Sequence, residues 1–197
     1  DQNSQKNYKI GFANMSEEMA FPRDVRRGLE RAAKDSSQIE LFVANNQMSG
    51  EIAIEVADNL IATDIDLMIE FQIVEQVGNI LMNKFNHAGI PVIAIDIPMV
   101  GATFFGVDNY QTGYVAGLEL GKAVQQEWRG LIDRLIVLEH PRAGHLPAAR
   151  IKGQIDGFQE IIGEVNPDIM IHRDSGNTTS ISETQMLQIL QGLPTEH

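Results

Sequence analysis

The chain has 197 residues, 43% of them hydrophobic, and a formal net charge of −12 from 15 Lys and Arg against 27 Asp and Glu. Length and apolar content together describe a globular chain able to bury one large core or two small ones, not a disordered one. The acidic balance argues against a nucleic-acid surface, which needs a basic face, and the absence of cysteine excludes disulfides, thiolate catalysis and cysteine-ligated metal.

Tyr8 to Ala13 is an apolar run and predicts the first strand. The polar stretch before it, Asp1 to Asn7, is compatible with a mature N-terminus left after leader cleavage, or with a chain boundary. No apolar run reaches the roughly 18 residues of a membrane span. After a loop from Asn14 to Ala20, Pro22 suits the first turn of a helix running to about Lys34. Val25, Leu29 and Ala32 form its expected inward face, while Arg23, Arg27, Arg31 and Lys34 share a face read as solvated, with a docking surface for an acidic partner as the alternative. Ile39 to Ala44 predicts strand two. Ser49 is an N-cap for a helix through about Thr63, with Ile52, Val56 and Leu60 on one stripe. Leu67 to Ile69 predicts strand three, ending at Glu70-Phe71-Gln72. Val74, Val77, Leu81 and Phe85 mark a third helix, closed by Gly89 as a C-cap.

The pivot is Ile90 to Asn109. It holds two apolar runs, Val92 to Ile95 and Thr103 to Val107, each followed by a carboxylate, Asp96 and Asp108. Both runs are expected as strands buried on two faces. Strand starts near Tyr8, Ile39, Leu67 and Val92 recur close to the roughly 30 residues of a βαβ unit, which implies a parallel sheet with helices on both faces. Asp108-Asn109 then has the look of an N-cap for a helix from about Tyr110 to Glu127. In that helix Gly113, Gly117 and Gly121 recur every fourth residue, a stripe that most simply lets it lie close on a sheet. A strand at Leu135 to Leu138, a loop from Glu139 to His145, a helix from Pro147 to Ile162, a strand at Ile169 to Ile171, a loop from Asp174 to Thr179 and a helix from Ile181 to Leu190 follow.

The fold class is therefore α/β, with two Rossmann-like, doubly wound parallel-sheet lobes, residues 1–103 and 104–197. The alternation stops where a further strand is due. A complete second half needs about 70 to 100 more residues, so the chain is expected to be truncated at its C-terminus.

There is no Walker A sequence, GxGxxG fingerprint or G-x-S-x-G elbow. His87, His140, His145, His172 and His197 form no HxxxH or HExxH spacing, so neither metal nor cofactor is expected and no catalysis. What stands out is a set of polar residues at predicted strand ends, which this topology sends to one rim. They are Glu70, Gln72, Asp96, Asp108, Asn109 and, at a helix start, Arg150, with Phe21 in the first loop. Carboxylates accept from paired hydroxyls, Arg donates, and an aromatic packs on a sugar face, so the set suits a hydroxyl-rich ligand. For each residue alone, a helix cap or a solvated loop is the competing reading.

YKIGFAN, GLERAAK, DLMIE, NHAGIPVIAIDIP, GVDNYQTGYVAGLELG and AARIKGQIDGF, in this order, resemble the type I periplasmic substrate-binding proteins of ABC transporters, in the ribose-binding branch. That branch shares its fold with the effector domains of LacI-type repressors. The resemblance implies two lobes joined by hinge strands with a sugar or polyol clamped between them, a first lobe completed by a C-terminal return segment, an ABC permease as membrane partner, and a periplasmic location. It implies roles for Phe21 in stacking, Glu70 and Asp96 in binding hydroxyls, Arg150 in reaching from the second lobe, and Asn177 as a further contact. Asp96-Ile97 stands where the ribose-binding pattern has Asp-Arg, and Met19-Ala20-Phe21-Pro22 replaces Asn-Pro-Phe-Phe; both departures point away from ribose itself. A LacI-type repressor effector domain in the cytoplasm, a sugar-sensing receptor and an enzyme on a flavodoxin-like fold are the rival readings.

Overall fold

The computed structural model describes residues 7–72, 74–141 and 144–192. Asp1 to Lys6, His197 and residues 142 and 143 of the loop from Glu139 to His145 lie outside the described residues. The chain divides into two compact units, with the boundary between Gly106 and Val107.

The first unit is a five-stranded parallel sheet in the order β2-β1-β3-β4-β5. Its strands are β1 (Tyr8–Asn14), β2 (Ile39–Asn45), β3 (Leu67–Glu70), β4 (Val92–Ile95) and β5 (Thr103–Phe105). Its helices are α1 (Ala20–Asp35), α2 (Gly50–Ile61) and α3 (Gly78–His87), the last entered through a short 3-10 turn at Glu75–Val77. β1 is paired on both sides, in register Phe12 to Val43 and Phe12 to Ile69. Side chains alternate across the pleat, so one face of the sheet presents Phe12 and Ile95 to Val25 and Leu29 of α1. The other presents Ala13, Met68, Val92 and Ala94 to α2 and α3, where Ala53, Ala57, Leu60, Leu81 and Phe85 complete a larger core. Gly11 belongs to that second face because a Cβ there would stand 2.7 Å from Ile65 Cδ1.

Caps follow the sequence. Ser49 accepts from the Ile52 amide, and Gly89, with φ +70°, follows α3 in the left-handed conformation that ends helices. Three expectations are corrected. Ala32 is exposed, because the inward face of α1 is carried by Pro22, Val25 and Leu29. Phe21 lies in the first turn of α1 rather than in the loop before it. The run Thr103–Phe105 is exposed throughout, not buried on two faces, because β5 is the last strand in the sheet order and only β4 pairs with it.

The second unit contains α4 (Asn109–Trp128), β6 (Leu135–Glu139), α5 (His145–Ile162), β7 (Met170–Asp174) and α6 (Thr179–Gly192), with β6 and β7 parallel. The glycine stripe of α4 faces a helix, not a sheet. A Cβ on Gly113 would sit 1.9 Å from the Arg150 carbonyl oxygen, and one on Gly117 2.1 Å from that of Gln154. The partner helix answers in kind: a Cβ on Gly153 or Gly157 would lie 2.2 or 2.1 Å from the Tyr110 or Tyr114 carbonyl oxygen. Helices α4 and α5 thus pack backbone to backbone, running in the same direction. Tyr110 donates to Asp156 Oδ2 (2.9 Å) and Tyr114 donates to Glu160 beside this seam. Among the described residues no helix is long and apolar enough to cross a membrane.

Two glycine substitutions separate the seam from ordinary helix propensity. Gly117→Ala must push α4 and α5 apart and is expected to cost about 2–3 kcal/mol in urea unfolding. Gly28→Ala, in α1 with nothing within 4 Å of the added methyl, is expected to stabilise by about 0.5–1 kcal/mol.

Candidate functional site

The first unit gathers its polar interior at the carboxyl ends of β1, β2 and β3. A strand buried on both faces has no solvated side, so polar groups can enter only at its ends. Continuing the alternation of β3 from Met68 places Glu70 and then Gln72 on the α2 side and Phe71 on the α1 side. Glu70 and Asn46, the residue just after β2, are each 1% exposed, and Gln72 is 3% exposed.

Asn46 Nδ2 donates to Glu70 Oε1 at 2.8 Å and, at 3.4 Å, to the Phe71 carbonyl. Glu70 Oε2, Asn46 Oδ1 and both amide atoms of Gln72 are buried without a hydrogen bond. Each such atom costs about 1–3 kcal/mol of lost hydration. Burial pushes the Glu70 carboxyl up to about 8, against a smaller lowering by the Asn46 amide. At neutral pH the group is therefore a protonated acid, able to donate as well as accept.

The rim above the cluster is aromatic and acidic. Phe21 is 61% exposed and its ring meets buried Phe71 edge-on, with centroids 6.2 Å apart. Asp96 directly follows β4, half-buried, with a left-handed φ of +63°. Its amide donates to the Phe105 carbonyl at 3.1 Å, so pairing with β5 holds it in a conformation that costs roughly 1–2 kcal/mol outside glycine. Register sets Glu70 opposite Ala94, two residues before Asp96, so the two carboxyl groups belong to adjacent strand ends.

The remaining predicted residues lie in the second unit. Asp108 caps α4, its side chain accepting from the Gln111 amide at 3.0 Å. Arg150 Nε donates to Asn109 Oδ1 at 2.9 Å, which ties the start of α4 to the first turns of α5. Asn177 is exposed, with φ +54°. His140 Nδ1 lies 3.0 Å from Asp174 Oδ1.

Sequence reasoning missed Asn46 and Asn14. The available signal was an asparagine immediately after each of two apolar runs, IGFAN and LFVANN. Asn14 is buried on the α1 side, where its Nδ2 donates to the Ser16 carbonyl (3.0 Å) and Glu17 Oε1 (2.7 Å). It fixes the loop that leads into the turn carrying Phe21.

Comparison with known proteins gives one consistent answer. The family described as periplasmic binding protein domain matches residues 10–196. The ABC transporter periplasmic-binding protein YphF of Escherichia coli (strain K12) is 37% identical over 103 residues, which are 50% of this chain and 30% of that protein. Among solved structures, an ABC transporter solute binding protein from Mycobacterium smegmatis with bound glycerol matches at TM-score 0.74 and 22% identity, over 94% of this chain and 62% of that one. One from Bacillus halodurans with bound myo-inositol matches at TM-score 0.74 and 19% identity, over 96% of this chain and 64% of that one. These likenesses establish the type I periplasmic binding fold. The chain spans less than two thirds of the length of each of these proteins.

The buried carboxyl makes stability depend on pH. Folded Glu70 keeps its proton up to about pH 8, whereas an unfolded glutamate releases it near its ordinary value, so folding takes up a proton between these limits. The contribution is complete below the ordinary value and is lost as pH rises through about 8. Relative to Glu70→Gln, which stays neutral, the native chain is expected to lose up to about 1.4 kcal/mol per pH unit across that window. Denaturant midpoints of both proteins from pH 5 to 9 measure this; parallel curves contradict a protonated Glu70.

Proposed function

The chain belongs to the periplasmic binding protein domain family, and we propose that it acts as the solute-binding component of an ABC importer, taking a sugar or related polyol. The observation that carries this reading is the first unit's strand-end cluster. It combines a half-buried carboxylate at Asp96, a protonated carboxyl at Glu70, an unpartnered amide at Gln72 and an exposed aromatic face at Phe21. Hydroxyl groups both donate and accept, so they match a set that contains both functions. A carboxylate accepts from two neighbouring hydroxyls, and the ring at Phe21 covers the C–H face of a sugar.

Asp108, Asn109, Arg150 and Asn177 are the proposed contacts from the second unit. Arg150 and Asn109, already hydrogen-bonded to each other, supply donors to ring and hydroxyl oxygens. The solved relatives with bound glycerol and bound myo-inositol support a polyol as the ligand class. The proposed role is non-catalytic: ligand binding stabilises one conformation of the protein, and a membrane permease reads that conformation. In this reading the working location is the periplasm.

Titration calorimetry of the chain against pentoses, hexoses, glycerol and myo-inositol tests the proposal, with saturable heat expected for at least one. Asp96→Asn keeps a residue type that tolerates the left-handed backbone and removes the charge. It is expected to weaken that binding by tenfold or more, as loss of a charge-assisted hydrogen bond does, with an unchanged circular dichroism spectrum. No heat from any member of the panel overturns the sugar reading.

A further inference from the structure

Beside the Asn46–Glu70 pair the first unit holds a crevice lined by Met15, Asn46, Met48, Ser49, Gln72 and Val74. It is too narrow to hold a water molecule. Yet it is walled by polar side chains more than nine-tenths buried, with Asn46 Oδ1 and both amide atoms of Gln72 unpartnered. Water cannot satisfy these atoms in the closed crevice, so the interior carries a standing cost there.

The outer wall includes Met48, in the turn that follows β2. Gln47 and Met48 follow β2 in consecutive left-handed conformations, φ +50° and +59°, without a glycine. Such a pair is strained. Met48 is itself exposed and is held to the loop after β1 by its amide donating to the Met15 carbonyl at 2.8 Å. Methionine side chains change shape at low cost, and two of them, Met15 and Met48, line the crevice.

We propose that this crevice is a ligand subsite that receives a hydroxymethyl group, admitted when the Gln47–Met48 turn moves outward. The chemistry of the walls fits that group in both parts. Met15, Met48 and Val74 supply apolar contact for the methylene. Gln72 offers a donor and an acceptor, and Asn46 an acceptor, to a hydroxyl that needs both. The subsite deepens the sugar and polyol reading by assigning one ligand group to a place which Phe21 and Asp96 do not occupy. It makes Gln72 a specificity-determining residue.

Two measurements test it. In the ligand-free chain, Gln72→Met removes two unsatisfied buried atoms at nearly constant volume, so the thermal midpoint is expected to rise by a few degrees. A fall means that the amide is structural and overturns the proposal. The second probe is glycerol, a small polyol with two hydroxymethyl groups, followed through the side-chain amide resonances of Gln72 and Asn46. Saturable shifts at both, absent with the dimethyl ether of ethane-1,2-diol and absent at Asn46 in Gln72→Met, are expected. Shifts at Phe21 and Asp96 without any at Gln72 overturn the subsite and leave the polyol reading standing. Shifts at Gln72 while no sugar of the calorimetric panel binds leave the subsite standing and overturn the sugar reading. No response anywhere overturns both.

Discussion

The constraint on which the first unit depends is that β1 is enclosed on all sides. It is hydrogen-bonded to β2 and β3 along both edges and covered by helices on both faces. Inside such a strand a polar side chain has neither water nor a free backbone group to meet. Phe12 and Ala13 are accordingly fully buried and apolar, and the next residue, polar Asn14, comes where the strand ends. The same rule applied to β3 and β4 delivers Glu70 and Asp96 to the carboxyl end of the sheet, where Asn46 follows the outer strand β2. The polar edge is thus a consequence of the parallel sheet. Its incomplete hydrogen bonding is not, because polar groups at a strand end can be met by caps or loop carbonyls, as the Asn14 amide nitrogen is, although Asn14 Oδ1 is also buried without a partner. Unsatisfied groups at Glu70, Asn46 and Gln72 lower stability without serving the fold, and that is the property expected of a binding surface awaiting a partner.

The second unit rests on a different contact. Its two parallel helices approach until glycine Cα atoms face carbonyl oxygens of the other backbone. A close approach of this kind is geometrically unforgiving, since any side chain at four of the five seam glycines would meet a backbone atom rather than a flexible side-chain end. It also brings residues outside the seam into fixed relation. Asn109 and Arg150 bond to each other because Gly113 and Gly153 let the first turns of α4 and α5 touch. The placement of a candidate ligand contact in this unit is therefore decided by glycines several residues away.

Much of this was legible in the sequence, because the strongest signals were periodic. Apolar runs spaced by helices gave the parallel order, and Ser49, Gly89 and Asp108 marked helix ends where caps are observed. The failures share a cause: each depended on what lies across from a residue rather than beside it. The glycines of α4 marked a close approach, but a spacing of four cannot say whether a sheet or a helix is approached. Their counterparts, Gly153 and Gly157, repeat the spacing in α5, and that pairing was the unused clue. Thr103–Phe105 is as apolar as β4 but lies last in the sheet, and strand order is not a local property of sequence. At the site, Glu70 was recognisable as a carboxylate at a strand end, but its protonation follows from the depth of its burial, which residue type does not encode.

The two asparagines sharpen this point. Asn14 ends β1 and Asn46 follows β2, both are buried, and the two are joined through the backbone, the Asn46 N–H donating to the Asn14 carbonyl at 2.7 Å. Their side chains nevertheless go to opposite faces of the sheet. Asn14 continues the parity of Phe12 and lands on the α1 side, where the carbonyls of Ser16 and Pro22 and the Glu17 carboxylate use both of its amide protons. Asn46 continues the parity of Ala44 and lands on the α2 side, where its amide nitrogen meets Glu70 Oε1. There the amide is spent on a carboxyl that burial keeps protonated. Shifting either residue by one position along its strand exchanges the two environments. Alternation of the pleat, more than residue identity, therefore assigns one asparagine to holding a loop and the other to the candidate site.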